Sequence, residues 1–433
     1  MARTRYFPAE EYQQRLTCVR AEMEKHGLDA CLIAGPENVC YLTGLDHQGY
    51  FAYQLLVVPQ QGQPILITRA MERATVRDQV PDVRHVGYSD GAEPLPPAEH
   101  EKQDLAMSVP TERGGVGGLQ PWSASLGVSV RSGEGPPRDV SNPIRTTCEL
   151  LNEVGLNKGR IGIEKDSAFL PYRIADGIVS SLPEVDWQDA SSLVDNCRII
   201  KSSLELDCIR KAAALSDSMM LTGIAAAGAG VEQREVVAAI YQAMFRRGGT
   251  YPAFIPLVRS THTLEHEHGT WDDRRLRQKD VLFIEMSGCV QRYHGPIGRL
   301  VHIGNAPARS RKIHDACREA LESVFDTIAP GVTAGEVYAA WQKPVDRAGL
   351  EHYRRHHCGY SVGLGFPPSW SGGGVPVGLR AGSDLELKPG MVFHVLSWLL
   401  RTGRGDSFLS DTVAVTDRGS EVLTTASRDL IVR

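Results

Sequence analysis

The stretch RIIKSSLELDCIRKAAALSDSMMLTGI (198–224), answered by the apolar runs VLFIEMSGCV (281–290) and IGRLVHIG (297–304), sets the order of elements in the C-terminal half of the chain. In the first, Ser202 or Ser203 offers an N-cap, and Leu206, Ile209, Ala213 and Met220 fall at the spacing of a buried helical stripe. A second helix is predicted over 231–247, ended by Gly248-Gly249-Thr250, and the two apolar runs read as strands. After residue 306 the order recurs. Helices are predicted near 310–328 and 333–348 with a break at Gly331, followed by strand-like runs at 357–365, 391–399 and 410–416. Helix, helix, strand, strand thus occurs twice over about 110 residues each, which points to a duplicated half-domain with a cleft between the halves.

Upstream the pattern differs. Tyr12, Leu16, Val19 and Met23 share one face of a helix predicted over Pro8–His26 and stopped by Gly27. Short apolar runs at 30–34, 54–59, 64–67 and 160–164 follow, interleaved with helical segments, so residues 1–190 read as an α/β domain ahead of a second domain over 191–433. Between about Glu93 and Pro143, Gly, Pro and Ser dominate and no period survives; this reads as an exposed, mobile insertion.

Composition removes several function classes. With 47 Lys and Arg against 52 Asp and Glu in 433 residues, the net charge is -5, and no basic footprint marks nucleic acid as a partner. The start, MARTRYFPAEEYQQRL, lacks the apolar core of a secretory signal, and no run approaches the ~18 apolar residues of a membrane span, so a cytoplasmic protein with no membrane partner is expected. The nine cysteines are scattered and never form C-x-x-C, which argues against both a disulfide framework and a structural zinc site.

Three blocks carry a resemblance: Arg198-x-x-Lys201-Ser202-x-x-Glu205-x-x-x-Ile209-Arg210-x-Ala212, Lys388-Pro389-Gly390-Met391, and Ser410-Asp411-Thr412-Val413-x-Val415-Thr416. In order and spacing the chain resembles the creatinase and methionine aminopeptidase superfamily. The resemblance implies an α+β protein, with a C-terminal pita-bread fold made of a duplicated ααββ half and an N-terminal α/β creatinase-like domain. It also implies a homodimer in which the N-terminal domain caps the partner's cleft. The metallopeptidase branch holds two metal ions through two Asp, one His and two Glu; the matching positions here read Glu285, Pro296, Tyr360, Leu396 and Ser410. Only the first is still an acid, and Pro and Leu offer no ligand atom, so neither a metal nor another cofactor is expected. The two acids with which creatinases hold their substrate fall at Gly298 and Leu396, and both are gone.

A third branch matches better. The string Phe283-Ile284-Glu285-x-x-Gly288-Cys289-x-x-Arg292-Tyr293-His294-x-Pro296-x-x-Arg299 is similar to the signature of ectoine hydrolases, which open a cyclic amidine without a bound metal. Tyr251-Pro252-Ala253-x-Ile255-Pro256-Leu257, His268-x-Thr270-Trp271, Gly359-Tyr360-x-x-Gly363-x-x-Phe366-Pro367-Pro368-x-Trp370 and Pro389-Gly390-Met391-x-Phe393-His394 agree with it. The insertion, and Ser410 where an acid is expected, depart from it.

Opening an amidine adds water to a cationic N–C–N carbon and expels an amine. Glu285, inside an apolar run, is the candidate carboxylate: it would pair with the amidinium and either attack its carbon or deprotonate a water beside it. The resemblance makes His268 the proton-shuttling histidine on the facing strand. His294, His394 and Tyr360 are candidate polar contacts to a small-molecule substrate. Trp271, Trp370 and Phe393, with Phe366 and Trp398, are a candidate aromatic lining for a delocalised cation. Arg299 is a candidate fork for a substrate carboxylate, although arginine here recurs in metallopeptidases with other substrates. The implied reaction converts ectoine or hydroxyectoine to N-acetyl-2,4-diaminobutyrate. Another small amidine, guanidino or N-substituted amino acid satisfies the same residues, and so in part does a pita-bread protein that has lost catalysis and binds proteins, although such a scaffold has no need of Glu285 and His268.

Overall fold

Pro8 supplies extended backbone at the N-cap, and the helix Ala9–Lys25 follows directly, burying Tyr12, Leu16, Val19 and Met23. The computed structural model describes residues 5–89, 141–373 and 376–433. Within it the chain forms two units, Met1–Ser191 and Ser192–Arg433. The first is built on six strands: β1 (Ala30–Ile33), β2 (Leu55–Pro59), β3 (Ile65–Arg69), β4 (Arg84–Tyr88), β5 (Gly159–Ile163) and β6 (Val185–Asp189). They lie in the order β4-β3-β2-β1-β5-β6. The pairs β1–β5, β5–β6 and β3–β4 run parallel and the two others antiparallel, a mixed α/β sheet. Of the insertion expected over 93–143, only residues 141–143 lie within the described residues; there they open the helix Ser141–Glu153 and do not close a loop.

The second unit is an eight-stranded sheet: β7 (Leu257–Ser260), β8 (Val281–Val290), β9 (Tyr293–His302), β10 (Gly359–Ser361), β11 (Val392–Leu399) and β12 (Ser407–Thr416) in the order β10-β11-β12-β9-β8-β7, with β13 (Gly419–Val422) on β12 and β14 (Ile431–Val432) on β9. The helices Ser203–Ala226 and Gln233–Arg246 accompany β8 and β9; Ala308–Thr327 and Ala334–Arg347 accompany β11 and β12. The duplication extends to the helix starts, because the second helix of each half opens with a capping box, Glu232/Glu235 in one and Thr333/Glu336 in the other. One face of the sheet is packed on these helices. Ile284, Met286, Ile297 and Val301 meet Met219, Met220 and Ile240, while Phe393, Val395, Leu409 and Val413 meet Leu321, Val324 and Trp341. Because side chains alternate along a strand, the odd-numbered residues of β8 point to the opposite face, open in the sense that none of these helices packs on it, although its side chains are themselves largely buried.

Two boundaries differ from expectation. The run at 357–365 shortens to Gly359–Ser361. By contrast β9 starts at Tyr293, because Gln291 and Arg292, both at positive φ (51° and 68°), turn the chain tightly out of β8. Gly295, which hid that start in the sequence, is there for contact: a Cβ on it would lie 2.7 Å from the backbone of Ala213. None of the nine cysteines is in a disulfide, and among the described residues no helix is long and apolar enough to cross a membrane.

Candidate active site

Strand register lays out the open face in rows. Leu257, Glu285, Gly298, Ser410 and Leu396 sit side by side across β7, β8, β9, β12 and β11, each the partner of the next. The following row carries Ser287, Pro296, Thr412, His394 and Tyr360, with the Thr412 hydroxyl donating to the Pro296 carbonyl at 2.7 Å. On the other side lie Phe283, Leu300, Phe408 and Trp398, and the three rings form one cluster: Phe283 is 4.5 Å from Phe408 and 5.3 Å from Trp398.

Glu285 is the one acid in these three rows. Its side chain is buried and Oε1 has no hydrogen-bond partner. Burial pushes its carboxyl up to about 7, against the pull of Arg259 and Arg355 and with a small push from Glu267. His394 Nε2 stands 3.8 Å from Glu285 Oε1. This contact is no ion pair at neutral pH, because burial, helped by His357, pushes the His394 imidazole down to about 3.

A polar chain fixes how His394 presents itself. The Trp370 indole can only donate, and it donates to the Tyr360 hydroxyl at 2.9 Å. That leaves the phenolic hydrogen for His394 Nδ1, 3.0 Å away. The network therefore assigns the imidazole hydrogen to Nε2, which lies 2.8 Å from Ser410 Oγ and faces Glu285 beyond it. Gly298 completes the floor by default. A Cβ there would come within 2.2 Å of the Phe408 ring and 2.6 Å of Ser410 Oγ, so no side chain, acidic or otherwise, fits between the halves at this point.

Of the residues named from sequence, the structure brings together Glu285, His394, Tyr360 and Trp370. His294 lies on the same face farther along β9; it accepts from the Ala253 amide at 2.9 Å through Nε2, which leaves the buried Nδ1 hydrogen without a partner. Four expectations need correction. His268 is not on a strand: it lies exposed in the loop after β7, its ring stacked on Phe254 at 6.2 Å, and no hydrogen bond or ion pair joins it to Glu285 among the described residues. Trp271 packs on the helix-side cluster of the first half, and Phe393 is fully buried in that of the second, because its place on β11 is opposite in parity to His394. Arg299 also points to the helix side. Every one of its nitrogens is engaged: Nε with the Ser427 carbonyl, Nη1 with those of Gly298 and Ser410, and Nη2 with Ala426 and, at 3.0 Å, with the carboxylate of the fully buried Asp411. It pins β9 to β12 and has nothing left for a substrate.

Sequence reasoning gave no role to Arg259, Arg355, Glu267 or His357. Arg355 binds Glu267 at 3.0 Å and covers Trp398 at 4.9 Å. His357 stands edge-on to Tyr360 at 5.4 Å, and burial pushes it down to about 4. The signal available for Arg259 was an arginine inside the short apolar run LVRS.

The sequence pattern of metallopeptidase family M24 matches residues 207–417, and that of the creatinase/prolidase N-terminal domain matches residues 15–115. A hydrolase/peptidase of Sinorhizobium fredii, y4tM, itself uncharacterised, is 30% identical over 99% of each chain. The chain belongs to metallopeptidase family M24. An ectoine hydrolase of Halomonas elongata is 26% identical over 99% of this chain and 98% of its own. The crystal structure of a dipeptidase from Pyrococcus horikoshii superimposes with a TM-score of 0.75 at 23% identity, covering 97% of this chain and 100% of that one. These likenesses establish an M24 hydrolase fold with a creatinase-type N-terminal domain. The dinuclear centre after which the family is named does not fit the residues present. Among the described residues no three His, Cys, Asp or Glu side chains approach closely enough to share a metal ion. Glu285 and His394 are the only such donors in the two central rows, beside Pro296, Leu396 and a Ser410 hydroxyl already taken by His394.

Proposed function

We propose that this M24 protein is a metal-independent hydrolase that opens a small cyclic amidine, ectoine or hydroxyectoine, to N-acetyl-2,4-diaminobutyrate. The observation that carries the reading is Glu285: a single buried carboxyl, unpaired at Oε1, beside a neutral imidazole on a face where the family's metal positions hold Pro, Leu, Ser and Tyr. A buried acid without a partner is costly unless something completes it, and an amidinium supplies both the opposite charge and paired N–H donors. Binding the cation restores the charged form of Glu285. The carboxylate then either deprotonates a water that adds to the N–C–N carbon and, with a pKa near neutrality, returns that proton to the departing nitrogen, or attacks the carbon itself, in which case a water protonates the departing nitrogen and the hydroxide left behind cleaves the Glu285 adduct. His394, held neutral, would turn its Nε2–H from Ser410 Oγ to oxygen building up at that carbon; Tyr360 and Trp370 hold its ring. The net change is amidinium plus water to amide plus ammonium.

The ectoine hydrolase relative supports the substrate, and the donor set supports independence from metal. A cytoplasmic homodimer whose N-terminal domain caps the partner's cleft belongs to the same proposal; light scattering on the purified protein gives its stoichiometry. Incubation with ectoine followed by chromatography for N-acetyl-2,4-diaminobutyrate tests the reaction itself. Failure of the wild type to form that product under any buffer condition removes the substrate.

A further inference from the structure

One cation on the open face is buried with no counterpart. Arg259 is fully buried, and on β7 it is the register partner of Phe283, so it shares the face of Glu285. Its guanidinium lies 4.0 Å over the Phe283 ring and 5.5 Å from that of Trp398. Nη1 donates to the His266 carbonyl. Nε and Nη2 have no partner, and among the described residues no carboxylate comes within 4.0 Å of it. Glu285 and Glu267 act on it only at longer range.

These two free nitrogens are not scattered. They form one edge of the planar group, the edge that takes both oxygens of a carboxylate side-on. The same molecule shows that geometry at its surface, where Arg210 holds Glu421 through Nε at 2.9 Å and Nη2 at 2.8 Å. In Arg259 the equivalent edge is buried and has no protein partner among the described residues. A guanidinium cannot shed its proton to escape burial, and two unsatisfied buried N–H groups are a defect unless a ligand completes them. Arg355, on the other ring contact of Trp398, spends its charge on Glu267 at 3.0 Å and leaves Arg259 as the unpaired cation of this corner among the described residues.

We infer that Arg259 is a carboxylate anchor, its Nε–Nη2 edge binding the acid group of a substrate whose cationic end faces Glu285. The inference rests on the proposed site and narrows it: the substrate is a small zwitterion with its positive and negative ends held by Glu285 and Arg259, and uncharged or purely cationic amidines are excluded. A substrate that lacks the carboxylate leaves the fork unpaired and is rejected for that reason.

The test compares ectoine with its carboxamide, which keeps the ring and removes the charge. With wild-type protein, kcat/KM for the carboxamide should fall by roughly a hundredfold, carried mainly by KM. Arg259→Lys keeps the positive charge beside Glu285 but loses the fork; it should raise KM for ectoine roughly tenfold or more and shrink the acid-to-amide ratio toward one. An unchanged ratio in folded Arg259→Lys overturns the inference, as does a wild type that turns over both compounds equally, a comparison that needs no variant. Thermal shifts separate this from the amidine reading. If ectoine stabilises wild type but not Arg259→Lys and no product forms, the anchor stands and amidine hydrolysis falls; turnover without carboxylate preference does the reverse.

Discussion

A carboxyl group held near neutrality inside an apolar sheet makes both turnover and folding depend on pH. Glu285 keeps its proton to about 7 when folded, against an ordinary 4.5. Between those values the native state binds the proton that the unfolded chain has released, so its contribution to stability falls as pH rises through that window and is lowest above 7. Glu285→Gln removes the buried charge. We expect it to abolish ring opening, with kcat down by roughly a thousandfold or more, yet to be more stable than wild type at pH 8 by up to about 3 kcal/mol and no more stable at pH 5. Calorimetric Tm at the two pH values reads the second effect, and equal shifts at both would contradict it. For wild type, kcat/KM should climb about tenfold per pH unit up to about 7 and then level off, since the free enzyme needs the carboxylate. The two histidines divide in the same assay: His394→Ala should cost roughly a hundredfold in kcat, and His268→Ala, at an exposed rim position, less than about threefold. Comparable losses for both would restore His268 to the chemistry. Glu285 was legible in the sequence because an acid inside VLFIEM stands out. His268 misled because spacing along the chain was taken for a place on a strand, and the residues after Ser260 leave the sheet as a loop.

Among the elements, the close approach of β9 to β12 carries the site. The sequence showed the strands through their apolar runs, but side-chain parity decided which residues face the cleft, and parity follows from register. Arg299 and Phe393 fell on the helix side for that reason, although each neighbours an open-face residue in sequence. Arg299→Met should therefore act on folding: leaving Asp411 buried beside only Arg428 and Thr424 should cost about 3–5 kcal/mol in denaturant unfolding. KM should stay near wild type. A selective rise in KM without loss of stability would return Arg299 to the substrate. Gly298→Ala should also destabilise, because the added methyl has to displace Phe408, and Phe408→Ala in the same chain should recover part of the loss. If Gly298→Ala unfolds at the wild-type midpoint, the two strands are not as tightly apposed as described.

At the scale of the whole chain, a repeated helix, helix, strand, strand order was enough to read the architecture, since each half buries one sheet face under its own two helices. Activity was less legible. The M24 scaffold presents here one buried carboxylate, a neutral imidazole and a buried arginine on one sheet face, and the proposed activity rests on those single positions, not on the shared fold. Dialysis against a strong chelator, with metal content and ectoine turnover measured on the same sample, addresses it most directly. We expect wild-type turnover to persist with metal far below one ion per chain and to vanish only in Glu285→Gln. Activity that disappears on chelation and returns with added manganese or zinc would contradict a metal-independent site.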